Sequence, residues 1–147
     1  MGLIVNELTK KFGEKTAVDH LSFAMESPGV FGLLGTNGAG KTTTIRTILG
    51  IMNPDFGSAT WNNTRITRET LSFGYLPEER GIYMKTKVLE QLVYFGMLRG
   101  MKKEAARKSA LDYMERLQVT EYKNVPAEKL SKGNQQKVQL IAAIIHN

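Results

Sequence analysis

Residues 35–42 read Gly35-Thr36-Asn37-Gly38-Ala39-Gly40-Lys41-Thr42 and match the pattern G-x-x-x-x-G-K-[ST] at every defined position. A short apolar run, residues 30–34, precedes them and is typical of a buried strand. The residues that follow predict a helix over residues 43–49. The glycines therefore lie where a strand turns sharply into a helix, which is the setting of a phosphate-binding loop.

The chemistry of such a loop depends on its backbone. Glycine adopts conformations closed to residues with a Cβ, so consecutive N–H groups can turn inward and, with the helix N-terminus, attract an anion. We expect Lys41 to reach the β- and γ-phosphates of a nucleotide, and the Thr42 hydroxyl to bind Mg²⁺. The alternative is a glycine-rich turn that carries Lys-Thr by chance. The candidate phosphate-binding residues are Asn37, Gly38, Ala39, Gly40, Lys41, Thr42 and Thr43.

The composition is that of a globular protein without disulfides or thiolate metal sites, since 41% of the 147 residues are hydrophobic, 23% are charged and none is cysteine. No stretch approaches the ~20 apolar residues that a membrane-spanning helix needs. The net charge is +6. Part of it comes from Arg99, Lys102, Lys103, Arg107 and Lys108. We favour a solvated helix face over a site for an anionic partner, because Glu104 interrupts this run and no aromatic residue does, and no nucleic acid partner is expected.

The first part of the chain is rich in strand patterns. Four further segments are predicted as strands: residues 3–8, 21–25, 58–61 and 71–76. Asn62-Asn63 predicts a hairpin turn, and Pro77 ends the last strand because it cannot donate to a sheet. These elements indicate an antiparallel sheet beside an α/β core.

From Thr86 onward the apolar period becomes helical. Thr86 is the predicted N-cap of a helix that ends at Gly100, and two more helices are predicted over residues 102–118 and 133–145. We therefore divide the chain into a mixed part, residues 1–85, and a helical part, residues 86–147.

The segment Leu130-Ser131-Lys132-Gly133-Asn134-Gln135-Gln136-Lys137-Val138 resembles the signature motif of ATP-binding cassette (ABC) ATPases, L-S-G-G-Q. It departs from the common form, because Lys132 replaces a glycine and Asn134 replaces the glutamine. The order of Phe12, the phosphate loop, Gly-Tyr-Leu-Pro-Glu at 74–78 and this motif also resembles the family along the whole chain.

The signature segment also has a direct physical interpretation. Ser131 is expected to cap a helix whose first free N–H groups, near Gly133 and Asn134, point outward. These three residues would form a second phosphate-binding end. The alternative is an ordinary helix N-cap.

The resemblance implies an α/β fold, a partial P-loop ABC ATPase core with an N-terminal antiparallel β subdomain and an α-helical subdomain, which binds ATP and Mg²⁺. It implies that Phe12 stacks on adenine and that Val18 packs on the ribose or base edge. It also implies that Glu78, where the family usually has Gln, binds Mg²⁺ with Thr42. A core phenylalanine and a plain surface glutamate are the alternatives for Phe12 and Glu78.

The resemblance further implies an ATP-binding subunit of an ABC membrane transporter, with export as the direction. It would act in the cytoplasm, at the inner face of the cell membrane. Its expected partners are transmembrane permease subunits and a second ABC ATPase subunit, packed head to tail. The alternatives are a soluble ABC ATPase that acts on ribosomes or DNA, and a nucleotide-binding fragment without catalysis.

In the family, a later apolar strand ends in Asp-Glu, which supplies a Mg²⁺ contact and the general base. The sequence ends at Asn147 without such a strand, so no catalytic base is assigned and we expect little hydrolysis by this chain alone. The apolar strand at residues 30–34 would also lack a neighbour, and an open strand edge favours self-association.

Overall fold

The computed structural model describes residues 2–67, 69–78 and 81–146, and the chain divides into two compact units, Met1–Ser72 and Phe73–Asn147. This division, after Ser72, falls earlier in the chain than the one expected from the sequence, which was between residues 85 and 86. The physical reason is that residues before Thr86 pack with the helices. Ile82, for example, is only 7% exposed and belongs to the helical core.

The first unit is an antiparallel sheet with one helix. Its strands are β1 (Leu3–Phe12), β2 (Lys15–Met25), β3 (Phe56–Trp61) and β4 (Thr64–Arg65), in the order β2-β1-β3-β4, and its helix is α1 (Lys41–Ile48). The antiparallel sheet is confirmed, although β1 and β2 are longer than predicted. Asn62 and Asn63 both have positive φ, at 50° and 64°, which confirms the predicted hairpin turn. The buried core comprises Val5, Leu8, Ile48, Ala59 and Ile66.

A bulge interrupts the pairing of β1 with β3. Glu7 has φ 49° there, and Gly57 opposite has φ 78°. A Cβ at Gly57 would overlap the carbonyl oxygens of Asn6 and Glu7. Only glycine fits this close approach of two strands.

Two predicted strands do not form. Residues 30–34 and 71–76 are irregular. Val30 and Leu34 are 102% and 92% exposed, whereas the sequence predicted a buried strand. An apolar run favours extended backbone, but a strand also needs a neighbour for its N–H and C=O groups, and none of the described strands pairs with either segment. Phe31 instead stacks on Phe23, with ring centroids 4.5 Å apart.

The second unit is helical. It contains α2 (Val88–Leu98), α3 (Lys103–Arg116) and α4 (Lys132–Ile144), with short 3₁₀ turns at Thr120–Tyr122 and Ala127–Lys129. All three helices were predicted, with small differences at the ends. The fully buried side chains of this unit include Val88, Leu92, Met114, Val138, Ile141 and Ile145.

The prediction of Thr86 as an N-cap is wrong. Helix α2 begins at Val88, its N-cap is Lys87, and no side chain caps it. The carbonyl of Thr86 instead accepts hydrogen bonds from the Ala127 N–H and from the Gln91 side chain. Thr86 therefore belongs to a loop whose conformation depends on residues far along the chain.

Gln91 holds this loop against α2. It is 1% exposed; its Oε1 accepts from the Tyr83 N–H at 3.0 Å, and its Nε2 donates to the carbonyls of Tyr83 and Thr86 at 3.2 and 3.0 Å.

We expect Gln91→Leu to reduce the free energy of unfolding by about 2 kcal/mol, because backbone groups would be left buried without partners. Urea unfolding followed by circular dichroism measures this loss. The matched control, Gln136→Leu on the exposed face of α4, should change stability little, and equal losses in both variants would contradict the prediction.

Candidate functional site

The phosphate-loop segment folds as a tight turn that leads directly into α1. The Ala39 N–H donates to the Thr36 carbonyl at 3.2 Å, which closes the turn. Gly38 and Gly40 have φ of 82° and 84°, values that favour glycine strongly. Helix α1 begins at Lys41, immediately after the left-handed Gly40. The first N–H groups of a helix have no intrahelical acceptor, so this start can bind an anion.

Gly40 is also required by its surroundings. A Cβ at this position would overlap the carbonyl oxygen of Ala17 on β2 and would lie 3.9 Å from Cγ2 of Val18. The loop therefore packs against β2. The structure brings Val18 beside the start of α1, as expected for a shared site, although Val18 is only 6% exposed. Its contact with a ribose or base stays a prediction.

The Lys41 side chain crosses its own loop. Its Nζ donates to the carbonyl of Gly35 at 2.9 Å and to that of Thr36 at 2.7 Å. These bonds place the ammonium beside the loop backbone, within the segment that would surround a phosphate. A phosphate oxygen is a stronger acceptor for an ammonium than a neutral carbonyl, so it could replace these bonds.

The threonines of α1 divide into two kinds. Thr44 and Thr47 are buried. The Thr44 hydroxyl donates to the Gly40 carbonyl at 3.0 Å, which joins the helix to the loop, and the Thr47 hydroxyl donates to the Thr43 carbonyl within the helix at 2.8 Å. Thr42 is exposed and Thr43 is half-buried. The exposed hydroxyl of Thr42, at the helix start, fits an oxygen ligand for a hard cation.

Phe12 ends β1 and is 49% exposed, so the alternative of a core phenylalanine is wrong. The Lys10 ammonium lies 5.7 Å from its ring centroid and pairs with Asp55 at 3.1 Å. The N–H of Lys11 donates to Asp55, and this bond, with the Lys10 side chain, lowers the pKa of the Asp55 carboxyl. The hairpin end is thus held in place, and about half of the Phe12 side chain stays exposed.

In the second unit, Ser131 caps α4 as predicted, and its Oγ accepts from the Asn134 N–H at 3.3 Å. Ser131 and Gly133 are exposed, and Asn134 is half-buried. The pKa of Tyr122 is raised, chiefly by a hydrogen bond to Glu121 and by its charge, while a hydrogen bond from Asn134 to the same phenol acts in the opposite direction. The Asn134 N–H, which the sequence predicted to be free, has the Ser131 Oγ as its acceptor.

Sequence reasoning missed Gln135. Its Nε2 donates to the carbonyls of Ala127 and Leu130 at 3.0 and 3.1 Å, which ties the preceding turn to the first turn of α4. The available signal was a glutamine close behind a capping serine, but both acceptors lie in a 3₁₀ turn that the sequence did not predict. Gln135 therefore holds the turn that precedes α4 against the start of that helix.

Glu78 lies in the second unit and is exposed, next to residues 79 and 80, which fall outside the described part of the chain. Thr42 lies in the first unit. Both supply oxygen donors of the kind that Mg²⁺ prefers. Their joint binding of one ion stays a prediction.

No helix in the described ranges combines the length and apolar character that crossing a bilayer demands.

A phosphate-binding loop before α1, an antiparallel hairpin beside it and a separate helical unit with a serine-capped helix define a P-loop nucleotide-binding cassette. Solved structures support this class. One titled "Structure of ATP binding subunit of ABC transporter" matches 99% of this chain and 62% of its own, with a TM-score of 0.80 and 25% identity. Another, the ATP-binding cassette MJ1267, shares the fold with a TM-score of 0.83 over 99% of this chain and 65% of its own, at 24% identity.

The family model described as ABC transporter matches residues 18–147, and the chain belongs to this family. It is 48% identical to the uncharacterized ABC transporter ATP-binding protein YhaQ of Bacillus subtilis, over 98% of this chain and 49% of that protein. It is 47% identical to the uncharacterized ABC transporter ATP-binding protein MJ1023 of Methanocaldococcus jannaschii, over 97% of this chain and 52% of that protein. The chain thus spans about half the length of these relatives. The predicted family and the partial α/β cassette fold are confirmed.

Proposed function

We propose that the protein to which this chain belongs couples ATP binding and hydrolysis to the movement of a substrate across a membrane, with export as the direction. Family membership supports ATP binding. The direction is supported by relatives whose names concern resistance or export. The linearmycin resistance ATP-binding protein LnrL of Bacillus subtilis is 33% identical over 98% of this chain and 48% of that protein. The Nod factor export ATP-binding protein I of Ralstonia nicotianae is also 33% identical, over 99% of this chain and 46% of that protein.

The observation that carries the nucleotide-binding part of this proposal is the geometry of the phosphate loop. Gly38 and Gly40 have positive φ, α1 starts immediately behind them, and the Lys41 ammonium lies over the loop carbonyls. We assign the amides from Gly38 to Thr43 to the terminal phosphates of ATP. Mg²⁺, when bound to Thr42 and Glu78, would neutralise charge on the phosphates. Phe12 would hold the adenine by stacking, with Val18 at the ribose or base edge.

The second phosphate-binding end supports a second ATPase subunit as partner. Ser131, Gly133 and Asn134 lie at the start of α4, in the unit that does not contain the phosphate loop. We assign them to a nucleotide held by a second ABC ATPase subunit, packed head to tail. The transport step requires transmembrane permease subunits, so the protein would lie in the cytoplasm at the inner face of the cell membrane.

The test is made on the full-length protein, tagged and purified from detergent-solubilised membranes of its host. We expect an integral membrane protein to co-purify and the complex to hydrolyse ATP with Mg²⁺. Lys41→Ala in the same complex should remove the hydrolysis, whereas a polypeptide of residues 1–147 should hydrolyse little. Recovery of ribosomal proteins or DNA in place of a membrane protein would overturn the transport proposal. If residues 1–147 alone hydrolyse ATP at a rate near that of the complex, this segment must contain a catalytic base, and the expectation that it has none is overturned.

A further inference from the structure

Helices α2 and α3 are joined by an ordered turn that presents apolar and basic side chains together. We call residues 97–103 the hairpin tip. Met97 and Leu98 are 47% and 63% exposed, although both are large and apolar. Arg99, Lys102 and Lys103 are exposed as well. Single exposed apolar side chains are common, but two adjacent ones followed by three cations in one turn form a distinct surface.

Backbone hydrogen bonds fix the conformation of the tip. The Gly100 N–H donates to the Met97 carbonyl at 3.0 Å, and the Met101 N–H donates to the Gly96 carbonyl at 3.1 Å. Gly100 has φ 86°, the left-handed conformation that ends a helix. Met101 packs against the helical core, whereas Leu98 and Arg99 line a pocket together with Leu76 and Pro77.

The net positive charge of the chain lies mostly in the second unit, where Glu104 interrupts the basic run beside the tip. The second unit contains 13 basic and 8 acidic residues, whereas the first contains 7 and 6. Arg107 and Lys108 extend the basic surface along α3 and are exposed. Within the described ranges, no salt bridge joins Lys102, Lys103 or Arg107 to a carboxylate. The guanidinium of Arg99 lies 5.9 Å from the centroid of the Phe73 ring and is held there.

We propose that the hairpin tip docks on the surface of an anionic phospholipid membrane. The aliphatic chains of Met97 and Leu98 insert at the interface while Lys102, Lys103 and Arg107 attract the headgroup phosphates. The surface is complementary to an anionic lipid surface, because its aliphatic side chains match the acyl chains and its unpaired cations match the headgroup phosphates. It fits nucleic acid less well, because the aliphatic side chains of the tip do not stack on bases.

The test measures co-sedimentation of the 147-residue chain with protein-free vesicles. We expect binding to vesicles of phosphatidylglycerol mixed equally with phosphatidylcholine and much weaker binding to phosphatidylcholine alone. Each cation near an anionic surface is worth about a five-fold change in partitioning. The double variant Lys102→Gln/Lys103→Gln should therefore bind roughly ten- to thirty-fold more weakly, and Leu98→Gln should also weaken binding. At about 1 M salt, where the Debye length is about 3 Å, the electrostatic part should disappear.

The matched control is Lys123→Gln/Lys129→Gln, which removes the same charge from exposed positions of the same unit and should bind nearly as the parent chain does. Equal losses in both double variants would overturn the assignment to the tip. So would binding that ignores lipid charge, binding only to membranes that contain a protein partner, or a preference for RNA over vesicles in competition. Lys41→Ala should leave vesicle binding intact, so failure of the nucleotide site and failure of this proposal are distinguishable.

Discussion

Lys41→Ala should weaken the binding of ATP with Mg²⁺ by on the order of a hundred-fold, which corresponds to about 3 kcal/mol. The reason is local, because the ammonium lies 2.7–2.9 Å from two carbonyl oxygens of the loop and is the cation that the loop itself supplies. Charge-assisted hydrogen bonds to phosphate are among the strongest polar contacts in proteins. Titration of the 147-residue chain with a fluorescent ATP analogue, followed by displacement with ATP, measures the change.

The control for this variant is Lys103→Ala, which removes the same charge at an exposed position in the helical unit and should bind nucleotide as the parent chain does. Circular dichroism of both variants checks that the fold is retained. If the parent chain and Lys41→Ala bind ATP equally, or if neither the chain nor the full-length protein binds it, the phosphate-loop assignment fails.

Leu92→Ala should lower the free energy of unfolding of the helical unit by about 3–4 kcal/mol. Leu92 is fully buried on α2, in the core that this helix forms with α3 and α4. Truncation to alanine removes apolar contacts and leaves a cavity in close-packed surroundings. Urea unfolding followed by the helical circular dichroism signal measures the loss.

The matched control is the same substitution six residues later in the same helix. Leu98 is 63% exposed, so Leu98→Ala should cost less than about 0.5 kcal/mol. A loss below about 1 kcal/mol for Leu92→Ala, or similar losses for the two variants, would show that α2 does not pack as described.

The helices and the phosphate loop were predictable because their signals are local. Helical periodicity places Val138, Ile141 and Ile145 on one face, and all three are fully buried in the structure. The serine cap of α4 follows equally from local spacing, because Ser131 and the Asn134 N–H lie within one turn. The location of the loop at the start of a helix follows in the same way.

Strand formation was less predictable, since it depends on a second segment. Residues 3–8 and 30–34 are both apolar enough to favour extended backbone, yet β1 pairs with β2 and β3 while none of the described strands pairs with residues 30–34. Sequence patterning reports the tendency of one segment and not the presence of its partner. The N-cap of α2 was mispredicted for a related reason. The Thr86 carbonyl accepts hydrogen bonds from the Gln91 side chain and from the N–H of Ala127, which is distant in sequence, so Thr86 belongs to a loop.

The sequence alone determined the family, the positive-φ glycines of the phosphate loop and the helical character of residues after 86, because each depends on neighbours within a few positions. Only the tertiary structure decided that Gly40 packs under the carbonyl of Ala17 and that Gln91 bonds to the loop at Tyr83. It also decided that Met97 and Leu98 remain exposed at the hairpin tip. These features join residues distant along the chain or depend on which faces are covered, and burial is a property of the packed molecule rather than of a local pattern.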